Sequence, residues 1–492
     1  MEPITRRVAL RLGALGALGV VVGGVGLSRT GLPWAALPAP LRTATRGSET
    51  LTEPEVVRSR DGLLRVELVA TPRETTIAGR PARVLTYNGT VPGQTWRVRP
   101  GDRIEVLLRN ELETPTNLHT HGLVVSPRDN GDNPFVSVDP GQSFEYRFDL
   151  REDHPTGVFW YHPHRHGTVA DQVFGGLYGA LIVEGDEVPV SRERVLVVSD
   201  ITLDRDGALA SASTAQVMMG REGDLVLING QVRPELTARP GERERWRVIN
   251  ACTSRYLHLA LPGQVLALLG IDSGHEPAAR EVEQVLLAPG NRADLLVTTR
   301  GGTSELRSLG YDRGAMGMMM GGGDLSGPAV LATLAVSGDE AAAVGPVPER
   351  PADPDLRNRP LDERREIAFT MNMSGGMMGP GRRGMMDLGF DGRPFDADRV
   401  DQQVAAGSVE EWTITNPTPM DHPFHLHVWP MQLLETDGEP VSEPTWRDVV
   451  NVPANGRVRT LVDFTHHPGR SVYHCHILDH EDAGMMAVVD TR

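Results

Sequence analysis

From residue 51 to the C-terminus the chain is a succession of short runs in which apolar and polar residues alternate, separated by Gly, Pro, Asn and Asp. Alternation at period two puts successive side chains on opposite faces, so each run predicts a half-buried strand; long 3.6-residue patterns are scarce. Three runs share one pattern, Gly101 to Asn110, Gly241 to Asn250 and Gly407 to Asn416, each opening on Gly and closing on Asn. Eight or nine residues beyond each Asn stands a histidine, at His119, His258 and His425. A second element, Gly-x-x-x-Tyr-His-x-His, occurs at Gly157 to His164 and Gly469 to His476 and is missing from the middle stretch. The repeats predict an all-β chain of three homologous β-sandwich units, placed at 51–188, 189–345 and 346–492. Only the outer two carry histidine pairs, which makes the middle unit a spacer.

The first 50 residues read as leader and linker. Arg6 and Arg7 precede an apolar run from Leu12 to Leu27. That run is shorter than the ~20 residues a membrane span needs. A twin arginine before such a run resembles a Tat export signal, which predicts a periplasmic, cell-surface or secreted protein with no stable membrane span unless the leader stays uncleaved. A formal net charge of -16 excludes a nucleic-acid or anionic-membrane partner. With only 2 cysteines, no disulfide framework is expected. Cys252 reads as a small buried hydrophobe.

The histidines change this picture of a bland β protein. Of the 16, eleven fall in four short clusters: His119 and His121; His162, His164 and His166; His422, His425 and His427; and His474, His476 and His480. The last cluster encloses Cys475 and is followed by Met485. Thiolate, two imidazoles and a weak thioether are the donors of a blue copper site, and thioether ligation separates copper from zinc. On a strand, each His-x-His pair aims both imidazoles to one side, while Cys475 points to the other. One strand can thus serve two metal sites and join them through its backbone. His166 reads as a neighbour of the ligands rather than a ligand.

In order and spacing the four clusters resemble the copper signatures of the multicopper oxidases. The resemblance implies three consecutive cupredoxin-like Greek-key domains and four copper ions per chain. It implies a type 1 copper on His422, Cys475 and His480 with Met485 axial, and a type 2 copper on His119 and His425. Two type 3 coppers would take His121, His162, His164, His427, His474 and His476. Domain 1 has Pro163 where domain 3 has Cys475, and Leu177 where domain 3 has Met485, so one blue site is expected. The implied activity is one-electron oxidation of a donor, Cu(I) or a phenol-like molecule, coupled to four-electron reduction of O2 to water.

Water formation consumes protons, so acids should flank the cluster. Glu481 and Asp132 resemble the family's proton-delivering acids, with Asp129 competing for the second role. Asp448 is expected either to orient a ligand imidazole or to form a structural ion pair. Ten of the 17 methionines fall within Met316 to Met320 and Met371 to Met386, in glycine-rich stretches without strand or helix period. Thioethers at Met371, Met373, Met377, Met378, Met385 and Met386, with Met420 beside His422, could collect substrate Cu(I) in copper tolerance. A hydrophobic lid and plain low complexity are the other readings of these stretches. A general laccase acting on organic aromatics and a non-catalytic copper-sequestering or scaffold protein are the alternative functions.

Overall fold

The computed structural model describes residues 49–314, 327–372 and 387–492. The twin-arginine leader and the methionines from 316 to 320 and from 373 to 386 lie outside the described residues. Among the described residues, six sheets pair into three β-sandwiches, and no helix is long and apolar enough to cross a membrane.

In the first sandwich the strands Val56–Arg58, Gly93–Val98, Gly179–Val183, Gly157–His162 and His119–His121 form one sheet, in that order. It closes on the sheet Arg80–Tyr87, Leu63–Ile77, Arg103–Asn110 and Ser143–Asp149 over a core that includes Trp96, Tyr161, Ile104 and Leu181. The second sandwich is built around Arg243–Asn250 and Leu257–Ala260 in facing sheets, and the third around Val409–Thr415 and His422–Leu426. Several neighbours run parallel, among them Leu63–Ile77 with Arg103–Asn110 and Glu363–Asn372 with Val409–Thr415.

The three repeats are the same structural part used three times. Gly101, Gly241 and Gly407 have φ of 86°, 78° and 89°, which a Cβ would disfavour, and each turns the chain into its strand. At the far end the closing Asn clamps the loop that follows. Its Oδ1 accepts from the backbone N–H two residues on, at Leu112, Cys252 and Thr418. Its Nδ2 donates to the carbonyl of Thr114, Arg255 or Met420. This Asx turn fixes the chain just before the strand that bears the first histidine. In the second and third units, Trp246 and Trp412 donate to Glu244 and Glu410, which pair with Arg194 and Arg365 on the adjacent parallel strand.

The outer sandwiches also bring their histidine elements together in the same way. His119 lies opposite His162, and His425 opposite His474, as cross-strand neighbours. Phe424 lies opposite Cys475, and both side chains enter the core of the third sandwich. Pleating thus sends Cys475 inward and its two flanking histidines outward.

Candidate metal centre

Cys475 ends the strand Arg470–Cys475, and the short helix Leu478–Asp482 follows at once. His480 on that helix has Nδ1 3.8 Å from the Cys475 sulfur, and His422 Nδ1 approaches it to 3.4 Å. Both imidazoles are held from behind. His422 donates from Nε2 to the Thr418 hydroxyl at 2.9 Å, and His480 donates from Nε2 to the Met218 carbonyl at 3.0 Å. These bonds fix the tautomers and leave each Nδ1 lone pair facing the sulfur. Met485 is fully buried in the same core, and its carbonyl accepts from the Cys475 N–H at 3.0 Å. Its counterpart Leu177 is equally buried in the first sandwich.

The other eight histidines meet where the first and third sandwiches touch. The Nε2 atoms of His164, His427 and His474 lie 3.0 to 3.1 Å from one another. His119, His121 and His162 converge likewise, as do His119, His425 and His427. Here too the second ring nitrogen is often anchored. His119 Nδ1 donates to Asp132 at 2.9 Å, His121 Nε2 to Asp448 at 3.0 Å, and His162 Nδ1 to the Pro163 carbonyl at 2.8 Å. His425 Nδ1 donates to the Asp448 carbonyl at 2.8 Å and His474 Nδ1 to the Cys475 carbonyl at 2.9 Å. The opposite nitrogens, His119 Nε2, His121 Nδ1, His162 Nε2 and His425 Nε2, and both ring nitrogens of His476, are buried without a hydrogen-bond partner among the described residues.

Burial, reinforced by neighbouring imidazoles, holds these rings below the ordinary histidine pKa, with His162 pushed down to about 3 and His474 to about 4. Neutral rings with unpaired, convergent lone pairs would destabilise a metal-free core. They fit a set of cations, and the soft thiolate beside them fits copper.

Two acids stand against this cluster. A tight turn brings Asp132 beneath His119: its N–H donates to the Ser126 carbonyl, and a Cβ on Gly131 would lie 2.1 Å from that oxygen. Asp129 is left on the exposed outside of the turn, with φ 51°. Burial raises Asp132 to about 7, opposed by the Thr120 N–H it accepts from. Glu481 is fully buried, with its carboxylate oxygens 3.3 Å from His474 Nδ1 and 3.6 Å from His164 Nε2. Those distances suit an ion pair, but burial lifts the Glu481 carboxyl well above the usual range and lowers both imidazoles, which disfavours the charged form of each.

Asp448 does both things its sequence position allowed. It orients His121, and it takes a two-pronged ion pair from Arg292, at 2.5 and 2.6 Å. Arg292 lies on the second sandwich, has no exposed surface, and also pairs with Asp272. The middle unit therefore does more than space the outer two. Its Gly290 backbone, at φ 88°, presses on His476 so closely that a Cβ would lie 2.7 Å from the ring. Arg221 from the same unit grips Asp479 and so anchors the helix that bears His480 and Glu481. The sequence carries no local signal for these residues: Arg292 stands two places from Asp294 on the strand Arg292–Thr298, while its partners Asp272 and Asp448 lie elsewhere in the chain.

Gly290→Ala should displace His476 and lower the metal content of the eight-histidine set while leaving the Cys475 site loaded. Gly407→Ala is the control, because Gly407 has nearly the same φ, 89°, and nothing within 4 Å of its Cβ position. Both changes strain the backbone by about 1 kcal/mol or more. Metal analysis should separate them, and equal metal content in the two variants would remove Gly290 from the cluster's support.

Of the thioethers, Met420 is fully buried in the Cys475 core and Met371 packs partly exposed against it. The helix Thr214–Met219 adds the Met219 thioether to that core and the Met218 carbonyl behind His480, neither of which the sequence singles out. Met373, Met377, Met378, Met385 and Met386 lie outside the described residues. His166 sits against Phe395 with ring centroids 4.7 Å apart and joins none of the clusters. Cys252 is a free, buried thiol in the second core.

Comparison with known proteins agrees with this geometry. Residues 69–188, 192–305 and 362–492 each match a family described as multicopper oxidase. A multicopper oxidase of Campylobacter jejuni, described as a metallo-oxidase, is 30% identical, with a TM-score of 0.80 over 90% of this chain and 95% of its own. The multicopper oxidase mco of Staphylococcus haemolyticus is 27% identical over 91% of this chain and 93% of its own length. The cell division protein FtsP of Shigella dysenteriae is also similar, at 26% identity over 89% of this chain and 91% of its own length. Matched over all three sandwiches, the chain belongs to the multicopper oxidases, oxidoreductases whose cofactor is copper.

Proposed function

We propose that this chain is an exported oxidase that takes single electrons from Cu(I), or from phenol-like donors, and reduces O2 to water, in the service of copper tolerance. In this reading His422, Cys475, His480 and Met485 hold a type 1 copper. His119 and His425 hold a type 2 copper, and His121, His162, His164, His427, His474 and His476 hold two type 3 coppers. Bound there, copper would supply one-electron redox chemistry at the thiolate and at the three ions held by the eight imidazoles, four electrons in all.

The observation that carries the proposal is the His474-Cys475-His476 tripeptide. Its thiol enters one ligand set and its two imidazoles the other, and the His474 N–H bond to the Cys475 carbonyl, 2.9 Å, adds a second connection between them. A protein that only sequestered copper would have no use for that link. A cell division protein, FtsP, stands among the relatives, and a scaffold role is the reading to exclude. Glu481 stands 3.3 Å from His474 and 3.6 Å from His164, where its carboxyl can carry a proton to the cluster, and Asp132 holds His119 in place at Nδ1. The apolar core around Cys475 excludes water from the thiolate.

Thioethers favour Cu(I) as donor: Met219, Met371 and Met420 all lie at the Cys475 core. Both type 1 imidazoles are fully buried, with Nε2 engaged, so an organic donor has no direct contact with a ring edge. Replacing Met371, Met373, Met377, Met378, Met385 and Met386 by Leu keeps apolar bulk and removes the soft donors. Cuprous oxidation should fall strongly, while phenol oxidation stays level or rises. An unchanged cuprous rate would transfer the function to a general laccase.

A further inference from the structure

The second sandwich places a buried cation against the Cys475 site. Arg313 has 2% side-chain exposure. Its Nη1 donates to the Ser254 carbonyl at 3.0 Å, its Nη2 lies 3.1 Å from Glu222, and its guanidinium sits 5.9 Å from the Tyr256 ring centroid. The backbone ties it to the ligand loop. The Arg313 carbonyl accepts from the Asp421 N–H at 2.7 Å, one residue before His422. A Cβ on Gly314 would lie 2.3 Å from the Pro419 carbonyl, so the two segments are in close contact. The Ser254 loop that takes the guanidinium is itself bonded to the segment after Cys475, the Leu478 N–H donating to the Thr253 carbonyl at 3.0 Å, and Ser254 and Ile477 both border Gly220.

We propose that Arg313 sets the electron affinity of the type 1 site, raising its reduction potential and so widening the range of donors it can oxidise; this rests on the ligand assignment made above. Taking up one electron lowers the charge of the Cys475 site by one. A fixed positive charge nearby therefore penalises the oxidised form more than the reduced form, and in a desolvated core that penalty is weakly screened. Glu222 opposes it: the same carboxylate pairs with Arg313 and Arg255, while Asp200 holds Arg255 from the other side. Asp421, bonded to Tyr311 and Asn451, is the other acid at this loop. Removing Arg313 and removing Glu222 should thus move the potential in opposite directions.

The test is a redox titration of the blue band in the copper-loaded full chain for Arg313→Gln, Arg313→Lys and Glu222→Gln. The potential should fall in Arg313→Gln, return towards the parent value in Arg313→Lys, and rise in Glu222→Gln. An unmoved or higher potential in Arg313→Gln overturns the proposal. So does a fall in Arg313→Lys as large as in Arg313→Gln, which would mark packing rather than charge. If the Arg313 variants do not fold, Glu222→Gln decides alone, and a potential that fails to rise overturns it. A Cys475→Ser protein that stayed blue would instead sink the ligand assignment, leaving these outcomes distinguishable.

Discussion

Cys475→Ser should produce a colourless protein with no donor turnover that still carries copper at the eight histidines. The blue absorption of a copper-thiolate site is a charge-transfer band of the sulfur, and serine offers only a hard, protonated oxygen in its place. The Cys475 sulfur is the atom on which His422 Nδ1 and His480 Nδ1 converge, at 3.4 and 3.8 Å. Burial pushes the metal-free Cys475 thiol up, so the site is built to give a proton for a soft cation rather than to hold an anion on its own. The fold should tolerate the change. Serine is smaller, and its hydroxyl can accept the Ile477 N–H that now approaches the sulfur at 3.4 Å, limiting the loss to about 1 kcal/mol. His474 and His476 point to the opposite side of the strand, and His474 keeps its bond to the carbonyl of residue 475. Absorption spectra and copper analysis check the result together: a variant still blue would mean that Cys475 is not the thiolate ligand.

What the sequence made legible here is local, and what it hid is not. Period-two spacing was enough to put His119 with His121, and His474 with His476, on one face and Cys475 on the other, because pleating is a property of consecutive residues. The Gly-to-Asn repeat was legible for the same reason: the turn, the strand and the Asx clamp all lie within one short segment. Even Leu177, fully buried at the place of Met485, was legible from the shared pair Gly176-Leu177 and Gly484-Met485, although the loops before them differ in length.

Long-range partners left no comparable trace. Arg292 and Asp448 are 156 residues apart, and nothing near either one announces that the first holds the second against His121. Gly290 matters because of a ring contributed by another sandwich, and Met218 because its carbonyl, not its sulfur, reaches His480. Parallel pairing between Glu363–Asn372 and Val409–Thr415 depends on a crossover whose register the alternation does not encode. The choice between Asp132 and Asp129 was open in the sequence because it turns on a loop conformation. A missing Cβ at Gly131 lets that loop place Asp132, and not Asp129, beside His119.

Glu481→Gln should separate the two halves of the reaction. Glutamine has nearly the shape of the protonated acid, so the cavity beside His474 and His164 keeps its packing and loses only the exchangeable carboxyl proton. Anaerobic bleaching of the blue band by donor should proceed at close to the parental rate. Reoxidation by O2 should slow by roughly 100- to 10,000-fold, the range over which a positioned acid acts. Asp132→Asn should behave differently, because Asp132 accepts from both His119 Nδ1 and the Thr120 N–H, and its amide has one oxygen for the two donors. Its main effect should be loss of copper at His119. The pH dependence gives an independent check of sign. Burial raises Glu481 above its ordinary value of 4.5, so the folded state holds the proton more tightly than the unfolded chain, and the parent loses stability as pH rises from there through the folded pKa. The Gln variant is relieved of that loss, and its melting temperature relative to the parent should climb with pH. Equal slowing of bleaching and reoxidation, or a melting difference flat across pH, would take Glu481 out of the proton path and leave it a packing residue.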